Sequence, residues 1–499
     1  MYKMLGYWID GIKTALQPSS VMLMLLGVVG GLIVGALPGV TSSMGIILLL
    51  PFTYYLEPKL ALLMLVGMYC SSMFGGSISA ILLRTPGTPS AAATALDGYP
   101  LAQKGKAGKA ISAALIGSVC GGLASGLCMI FLAPFLAKIA LKFGPAEYFS
   151  LAIFGLTIIA SVSGRNLVKG IISGLIGLLL SVIGIDNIRG TERLTFGISA
   201  FENGFEFLPV LIGVFAVSEI FGRIERKQKI EQTTKTVSGL LLTKDEFKSI
   251  LIPIMFGIVI GTFIGVIPGT GGTIATFLAY NELRRWSKNK EKFGQGALEG
   301  VAVCETTNNA VTGGAMVPAL SLGIPGDAVT AVMLGALILI GVRPGPLLFT
   351  EHPDIVYTLF AGWFIIQFLM LIVGFASVLV APNILKVPDE ILMPIVMVLC
   401  IVGSFSLRNN IYDVMVALAF GVIGYLMRKA RFPLPPLVLG LILGPQAEQN
   451  LNRALLTSKN DWLIIFKRPI SLTLLIFAFA SVALSLLNSY RATKREVNR

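Results

Sequence analysis

Residues 21–37, VMLMLLGVVGGLIVGAL, and residues 471–487, SLTLLIFAFASVALSLL, contain no ionisable side chain. Each approaches the roughly 20 apolar residues that carry a helix across a bilayer, and about ten further stretches are comparable. Such segments constrain the fold more than any other feature. In hydrocarbon every backbone N–H and C=O must be satisfied within the protein, which leaves helices or closed barrels. Lengths near 20 rather than 10 select helices. Composition agrees, with 55% hydrophobic and 13% charged residues where a soluble domain carries about 25% charge. The expected fold is an all-α polytopic membrane protein with about 10–12 transmembrane helices.

Glycine and proline interrupt this apolar territory in two similar places. GALPGVTSS (35–43) is answered by GVIPGTGGT (265–273). A second pair follows: FGGSISAILLRTPG (74–87) is answered by TGGAMVPALSLGIPG (312–326). FGPAEYF (143–149) resembles VPDEILM (387–393), and SGRN (163–166) resembles SLRN (406–409). Ordered pairs at offsets of 230 to 243 residues point to internal duplication, and interrupted segments in matching positions are the pointer to a secondary transporter's site. The expected organisation is an N-terminal membrane repeat (1–222), a basic cytoplasmic connector (223–248) and a C-terminal membrane repeat (249–499). The connector at 97–109 carries Lys104, Lys106 and Lys109, whereas its counterpart at 341–354 does not match that charge. By the charge rule this alternation favours inverted repeats. Both flanks of 249–280 are basic, however, which brings that segment in and out on one side, so repeat orientation stays open.

A broken helix survives in a bilayer only where protein or a water-filled cavity lines it. Residues 249–280 suit a re-entrant hairpin with PGTGG at its tip, where the free N–H groups of the next half-helix form an anion site. Pro38, Gly39, Thr41, Ser42 and Ser43 at the first tip, and Pro268, Gly269, Thr270 and Gly271 at the second, are therefore candidate solute-binding positions. Gly31, Gly35 and Gly261 taken singly read better as helix-packing positions. At the second pair of breaks, Arg84, Thr85, Asn308 and Asn309 join the candidates, because polar side chains at membrane depth default to function. Three roles stay open for Arg84: a bidentate contact to a solute carboxylate, pairing with Asp327, or reaching to the interface. Glu305 and Asp327 are candidates for ion coupling, by proton or Na⁺, with structural pairing as the rival. Asp97 reads as a cytoplasmic turn residue and His352 as a surface residue.

Net charge is +13, but the lysines and arginines gather in short connectors at 223–248, 284–292, 428–431 and 492–499, as positive-inside signals do. With no basic stripe interleaved with aromatics, a nucleic-acid partner is not expected. The five cysteines lie in apolar segments without CxxC spacing, and a single histidine speaks against histidine-rich metal or haem sites. Neither HExxH, GxSxG nor a Walker A motif is present, so metalloprotease, serine hydrolase and ATPase chemistry lack their usual equipment. No cofactor is expected beyond a coupling Na⁺ or H⁺. The N-terminal 20 residues read as a short interfacial helix rather than a signal peptide.

The stretches ILLRTPGTPSAAATALDGYPLAQKGKAGKA (81–110), GVIPGTGGTIATFLAY (265–280), FGQGALEGVAVCETTNNAVTGGA (293–315) and LGIPGDAVTAVMLGALILIGVRPGPLLF (322–349), with GALPG, resemble the large membrane subunit, TctA, of the tripartite tricarboxylate transporters over nearly the whole chain. The resemblance implies a permease of the bacterial cytoplasmic (inner) membrane. Its implied partners are a small membrane subunit of the TctB type and a periplasmic solute-binding protein of the TctC type. Its implied action is cation-driven import of an organic carboxylate anion, such as citrate or another tri- or dicarboxylate, by alternating access. It also implies that the paired PG loops and the Asn308-Asn309 pair lie near the solute path, with Glu305 on the acid before that pair. The chain departs from the family pattern at Arg84, commonly asparagine, at Asp327, commonly a small polar residue, and at Thr306-Thr307, usually alanines. Citrate is therefore not assumed. The alternative is a channel-like or structural membrane subunit without cation coupling; duplication around two broken segments favours a carrier.

Overall fold

The structure, a computed structural model, describes residues 2–38, 40–162, 167–186, 190–226, 239–384, 388–406 and 408–497. Gly39, the SGRN quartet, residues 227–238 of the basic connector, Val387 of VPDEILM and Leu407 of SLRN lie outside the described residues. The described residues fold as two compact units, each assembled from separate stretches of the chain. The first takes Met1–Ala137, Arg226–Ile267 and Gly271–Leu399; the second takes Lys138–Glu225, Pro268–Thr270 and Cys400–Arg499.

In chain order the elements begin with α1 (Tyr2–Ala15), α2 (Pro18–Ala36), α3 (Ser42–Thr53), α4 (Pro58–Leu83), a 3₁₀ turn at Pro89–Ala92, α5 (Ala95–Gln103) and α6 (Ala107–Ala140). Next come α7 (Pro145–Val162), α8 (Leu167–Ser181), a two-stranded ladder of β1 (Gly184–Ile185) and β2 (Glu192–Arg193), α9 (Ser199–Glu202), α10 (Phe207–Leu211), a π turn at Ile212–Val217, and α11 (Ser218–Arg226). They are followed by α12 (Lys244–Val266), α13 (Gly271–Trp286), α14 (Leu298–Leu322), α15 (Ala328–Leu339), α16 (Leu348–Glu351), α17 (Pro353–Ile384) and α18 (Asp389–Ser406). The chain closes with α19 (Ile411–Lys429), α20 (Pro435–Thr457), α21 (Ile464–Lys467) and α22 (Pro469–Val497).

Among the described residues the protein is all-α apart from that short ladder. Among the described residues, seven helices are long and apolar enough to cross a membrane, and five shorter apolar helices accompany them. The PG and PGD breaks shorten α3 and α15 to 12 residues each, and α14, although 25 residues long, carries the polar run ETTNN through its centre.

Local chemistry places the ends of these helices. Thr243 and Glu246 form a reciprocal capping box at the start of α12, which satisfies two otherwise free backbone donors. Asp327 and Thr330 do the same for α15. Gly323 ends α14 in the left-handed region at φ 70°, the conformation that closes a helix C-terminus with least strain in glycine. Arg84 occupies the same region at φ 56° after α4, where a side chain is uncommon.

In the first unit two helix pairs are packed by glycine. On α2, Gly27, Gly31 and Gly35 recur every four residues and face α4; a Cβ at these positions would run into the carbonyl oxygens of Met64, Met68 and Ser72. On α12, Gly257, Gly261 and Gly265 recur with the same spacing and face α14, where a Cβ on Gly261 would stand 2.5 Å from the Thr307 carbonyl oxygen. Small residues at spacing four let helix backbones meet directly, and close van der Waals packing is what holds helices together in lipid. Gly87 adds a further lock: it donates its N–H to the Gly76 carbonyl at 3.2 Å, and a Cβ there would collide with the Gly35 carbonyl oxygen. The break after α4 is thus pressed onto the end of α2.

In the second unit α20 lies against α7 and α8, and α22 lies against α7. Gly177 and Gly440 provide the close approach between α8 and α20, and the Ser150 and Ser471 hydroxyls meet at 2.7 Å between α7 and α22. The π turn packs on α19 through Gly213 and Gly421. Ion pairs close both ends of that pair, Arg428 with Glu219 and Lys429 with Glu225 at one, Arg408 with Glu206 and Asp413 at the other.

Replacing Gly35 by alanine is expected to force α2 and α4 apart and to destabilise the protein by about 1–3 kcal/mol, the usual cost of overpacking. Gly30→Ala on the same helix is the control, because its Cβ would meet only the mobile Met68 Cε, at 3.1 Å. Thermal unfolding in detergent checks this: Gly35→Ala should unfold several degrees below Gly30→Ala, and equal melting would contradict the packing assignment.

Candidate functional site

The two tips lead into half-helices whose N-terminal turns approach one small region of the first unit. At the first, Thr41 caps α3 by accepting from the Met44 N–H at 3.3 Å, and Pro38, Ser42 and Ser43 are buried. The Ser42 hydroxyl lies 3.9 Å from the Met73 sulfur of α4. At the second, Gly269 and Gly271 hold φ values of 80° and 65°, the left-handed conformations that let the chain turn from α12 into α13. A Cβ on the next residue, Gly272, would stand 3.1 Å from Ser90 Cβ and 3.3 Å from Asn308 Oδ1.

Met73 and Ser90 join these two approaches. The Ser90 hydroxyl lies 3.8 Å from the Met73 sulfur and 3.3 Å from the Thr88 hydroxyl. The Ser90 carbonyl accepts from Thr276 on α13 at 3.1 Å. Asn308 donates through Nδ2 to the Met73 carbonyl at 3.3 Å, while its Oδ1 is buried without a hydrogen-bond partner among the described residues. An orphaned buried polar atom costs roughly 1–3 kcal/mol. The first turn of α3 and the first turn of α13 thus each come near the Met73–Ser90 pair, one through Ser42 and the other through Gly272.

The ETTNN run of α14 divides by direction. Thr306 packs against Gly117 and Gly121 of α6 and Gly257 of α12, and Thr307 packs against Gly261. The Thr307 hydroxyl is satisfied internally by Val303 at 2.7 Å. Both threonines pack against glycines, although the Thr306 hydroxyl has no hydrogen-bond partner among the described residues, whereas Asn308 turns towards Met73 and Gly272. Asn309 is also fully buried, with neither end of its amide paired among the described residues.

Glu305 is fully buried. Its carboxylate accepts from the Thr94 hydroxyl at 2.5 Å and from the Ser118 hydroxyl at 3.4 Å, and among the described residues no lysine, arginine or histidine pairs with it. Sequence reasoning missed Ser90, Met73, Thr94 and Ser118. Serine and threonine are common in membrane helices, and only the fold brings these four to Asn308 and Glu305.

Arg84 and Asp327 are not joined by an ion pair. Asp327 caps α15, and its Oδ2 accepts from the Tyr69 hydroxyl at 2.6 Å. Arg84 is exposed, and its guanidinium lies 5.8 Å from the centre of the Tyr99 ring. Thr85 makes only a local bond to the Leu83 carbonyl. The structure also revises Asp97, which lies in the first turn of α5 rather than in a turn. Fully buried, it accepts from the N–H groups of Gly294, Gly296 and Ala297 at 2.8–2.9 Å and from the Tyr280 hydroxyl at 2.9 Å. It pins the connector that delivers α14. His352 is half-buried between α16 and α17.

A profile of the Tripartite tricarboxylate transporter TctA family matches residues 21–439. The chain is 37% identical over 487 residues to a 52.8 kDa uncharacterized protein in the TAR-I ttuC' 3' region of Agrobacterium vitis, covering 98% of this chain and 97% of that one. A second uncharacterized protein, in the TAR-II ttuC' 3' region of the same organism, is 35% identical over 237 residues, 48% of this chain and 98% of its own length. No solved structure matches.

Asp97→Ala is expected to release three backbone donors and the Tyr280 hydroxyl at once. Hydrogen bonds to a charged group contribute about 1.5–3 kcal/mol each, so local opening of the α13–α14 connector should rise by roughly tenfold or more. Limited trypsin digestion reads this at Lys288, Lys290 and Lys292; unchanged cleavage rates would contradict the pinning role.

Proposed function

The chain belongs to the Tripartite tricarboxylate transporter TctA family, as a multi-pass permease of the bacterial inner membrane rather than an enzyme, and we propose that it imports an organic carboxylate anion by cation-coupled alternating access. In this reading it is the large membrane subunit of a three-part system. A small TctB-type membrane subunit and a periplasmic TctC-type binding protein complete it. The observation that carries the reading is that the first turns of α3 and α13 both come near the Met73–Ser90 pair, beside Asn308. Helix N-termini bind carboxylates by aimed N–H groups and dipole, and half-helices of this kind hold anionic substrates in secondary transporters.

The proposed roles are divided as follows. Thr41, Ser42, Ser43 and Gly271 offer backbone and hydroxyl donors to the anion, and Asn308 lines the same region. Asn309 offers a second free amide. Pro38, and Pro268 with Gly269 and Thr270, set the directions in which α3 and α13 begin; Gly39, a solute-binding candidate from the sequence, lies outside the described residues. Arg84 and Thr85 are proposed to serve as an outer contact that selects among carboxylates. We further propose that the chain is two repeats, 1–222 and 249–499, joined by a basic cytoplasmic connector at 223–248. The glycine-packed pairs α2–α4 and α12–α14, each followed by a break, support that duplication.

Cation coupling rests on Glu305. A carboxylate buried without a cationic partner is costly, and either a proton or a bound Na⁺ with the Thr94 and Ser118 hydroxyls would neutralise it. Asp327 already caps α15 and binds Tyr69, so it is the weaker coupling candidate.

Reconstituted with its small subunit and binding protein, the permease is expected to accumulate a carboxylate only while a cation gradient exists. Uptake of radiolabelled citrate and of a panel of di- and tricarboxylates measures this. Accumulation that survives collapse of both the Na⁺ and the proton gradient would overturn the coupled reading. In the same vesicles Glu305→Gln is expected to abolish accumulation but to spare solute exchange, whereas wild-type accumulation in that variant would remove Glu305 from the coupling role.

A further inference from the structure

The first unit carries a groove of about 410 Å³ at the head of α12, away from the convergence of α3 and α13. Its walls are apolar: Ile116 of α6, Leu240 and Leu242 of the segment preceding α12, Phe247 of α12 and Phe375 of α17. Ser112 fixes that segment in place by donating its hydroxyl to the Leu240 carbonyl at 2.6 Å. Lys244 and Lys248, one helical turn apart, stand at the rim and are exposed. The nearby carboxylate of Glu246 is already taken by Lys109 at 2.6 Å, and the exposed Asp245 offsets one of the two lysines, so the turn keeps a net positive charge.

Below the lysines, the outward face of α12 is a continuous apolar stripe. Ile252, Met255, Val259 and Phe263 are 63–76% exposed, at the spacing of one helix face. In water this surface would be a liability; against acyl chains it is ordinary. Leu241, beside the groove, is 85% exposed, which again suits a residue dipping into a membrane rather than facing solvent. The charge rule places this basic end on the cytoplasmic side, where the leaflet is rich in anionic lipid.

We propose that this groove is a binding site for an anionic phospholipid. The headgroup phosphate lies between the ammonium groups of Lys244 and Lys248, one acyl chain enters the groove, and the other follows the α12 stripe. Such a lipid braces the entry to the α12–α13 hairpin and therefore links membrane composition to the stability of that hairpin.

The test uses the full chain, delipidated in detergent and titrated with phosphatidylglycerol, phosphatidylcholine or glycerol 3-phosphate, with bound lipid read by native mass spectrometry and stability by thermal unfolding. Phosphatidylglycerol is expected to bind and to raise the unfolding temperature; phosphatidylcholine and glycerol 3-phosphate are not. A lysine beside an anionic lipid surface contributes roughly a fivefold gain in binding, so Lys244→Ala with Lys248→Ala should weaken phosphatidylglycerol by about tenfold or more. Lys244→Arg with Lys248→Arg should retain it, as should Lys288→Ala with Lys290→Ala in a different basic connector. Equal binding of the two phospholipids, undiminished binding in the Lys244/Lys248 alanine pair, or an equal effect of glycerol 3-phosphate would each overturn the proposal.

Discussion

Backbone-to-backbone contact at glycine holds this protein's interrupted helices in place. A helix broken within hydrocarbon leaves polar groups that must find partners in protein or water, and any slack between neighbours would leave them stranded. Gly27, Gly31 and Gly35 remove that slack between α2 and α4, and Gly257, Gly261 and Gly265 do so between α12 and α14. Gly87 then seats the second break against the carbonyl that ends the first. The break after α4 is thereby stacked on the end of α2. The N-terminal turns of α3 and α13 inherit their aim from that stacking, and so does the reading of their shared region as an anion site.

Polar chemistry in the first unit sorts by whether it is already satisfied. Asp97 and Asp327 have full sets of donors and act as fasteners, one for the α13–α14 connector and one for α15. Ser71 and Thr307 return their hydroxyls to their own helices. Thr306, Asn308 and Asn309 keep unpaired polar atoms among the described residues, and Glu305 has no cationic partner there. In a tightly packed interior such deficits are expensive, which is why the functional proposal follows the deficits rather than the total number of polar residues. The low density of charge near them favours solutes and ions that bring their own.

Much of this was legible in the sequence, and the limits have physical causes. Apolar length announced the helices, because a run of apolar residues acts through a local constraint on the backbone. The ETTNN run drew attention as a unit, but helical rotation turns Thr306 and Thr307 into packing surfaces and Asn308 towards Met73 and Gly272, a division that only the neighbouring helices reveal. The opposite charges of Arg84 and Asp327 suggested a pair, yet Tyr69 from α4 reaches Asp327 instead. Ser90, in the 3₁₀ turn, and Ser118, mid-helix in α6, carried no distinctive local signal. Their importance comes from tertiary approach to α13 and α14.

The central claim is that a carboxylate binds where α3 and α13 begin, and a structure of the permease with solute bound tests it most directly. The account predicts solute density between Ser42, Ser90, Gly272 and Asn308, with a carboxylate oxygen within hydrogen-bonding distance of N–H groups in the first turn of at least one of the two helices. Solute bound elsewhere, with both first turns and Asn308 making no contact to it, would contradict the account.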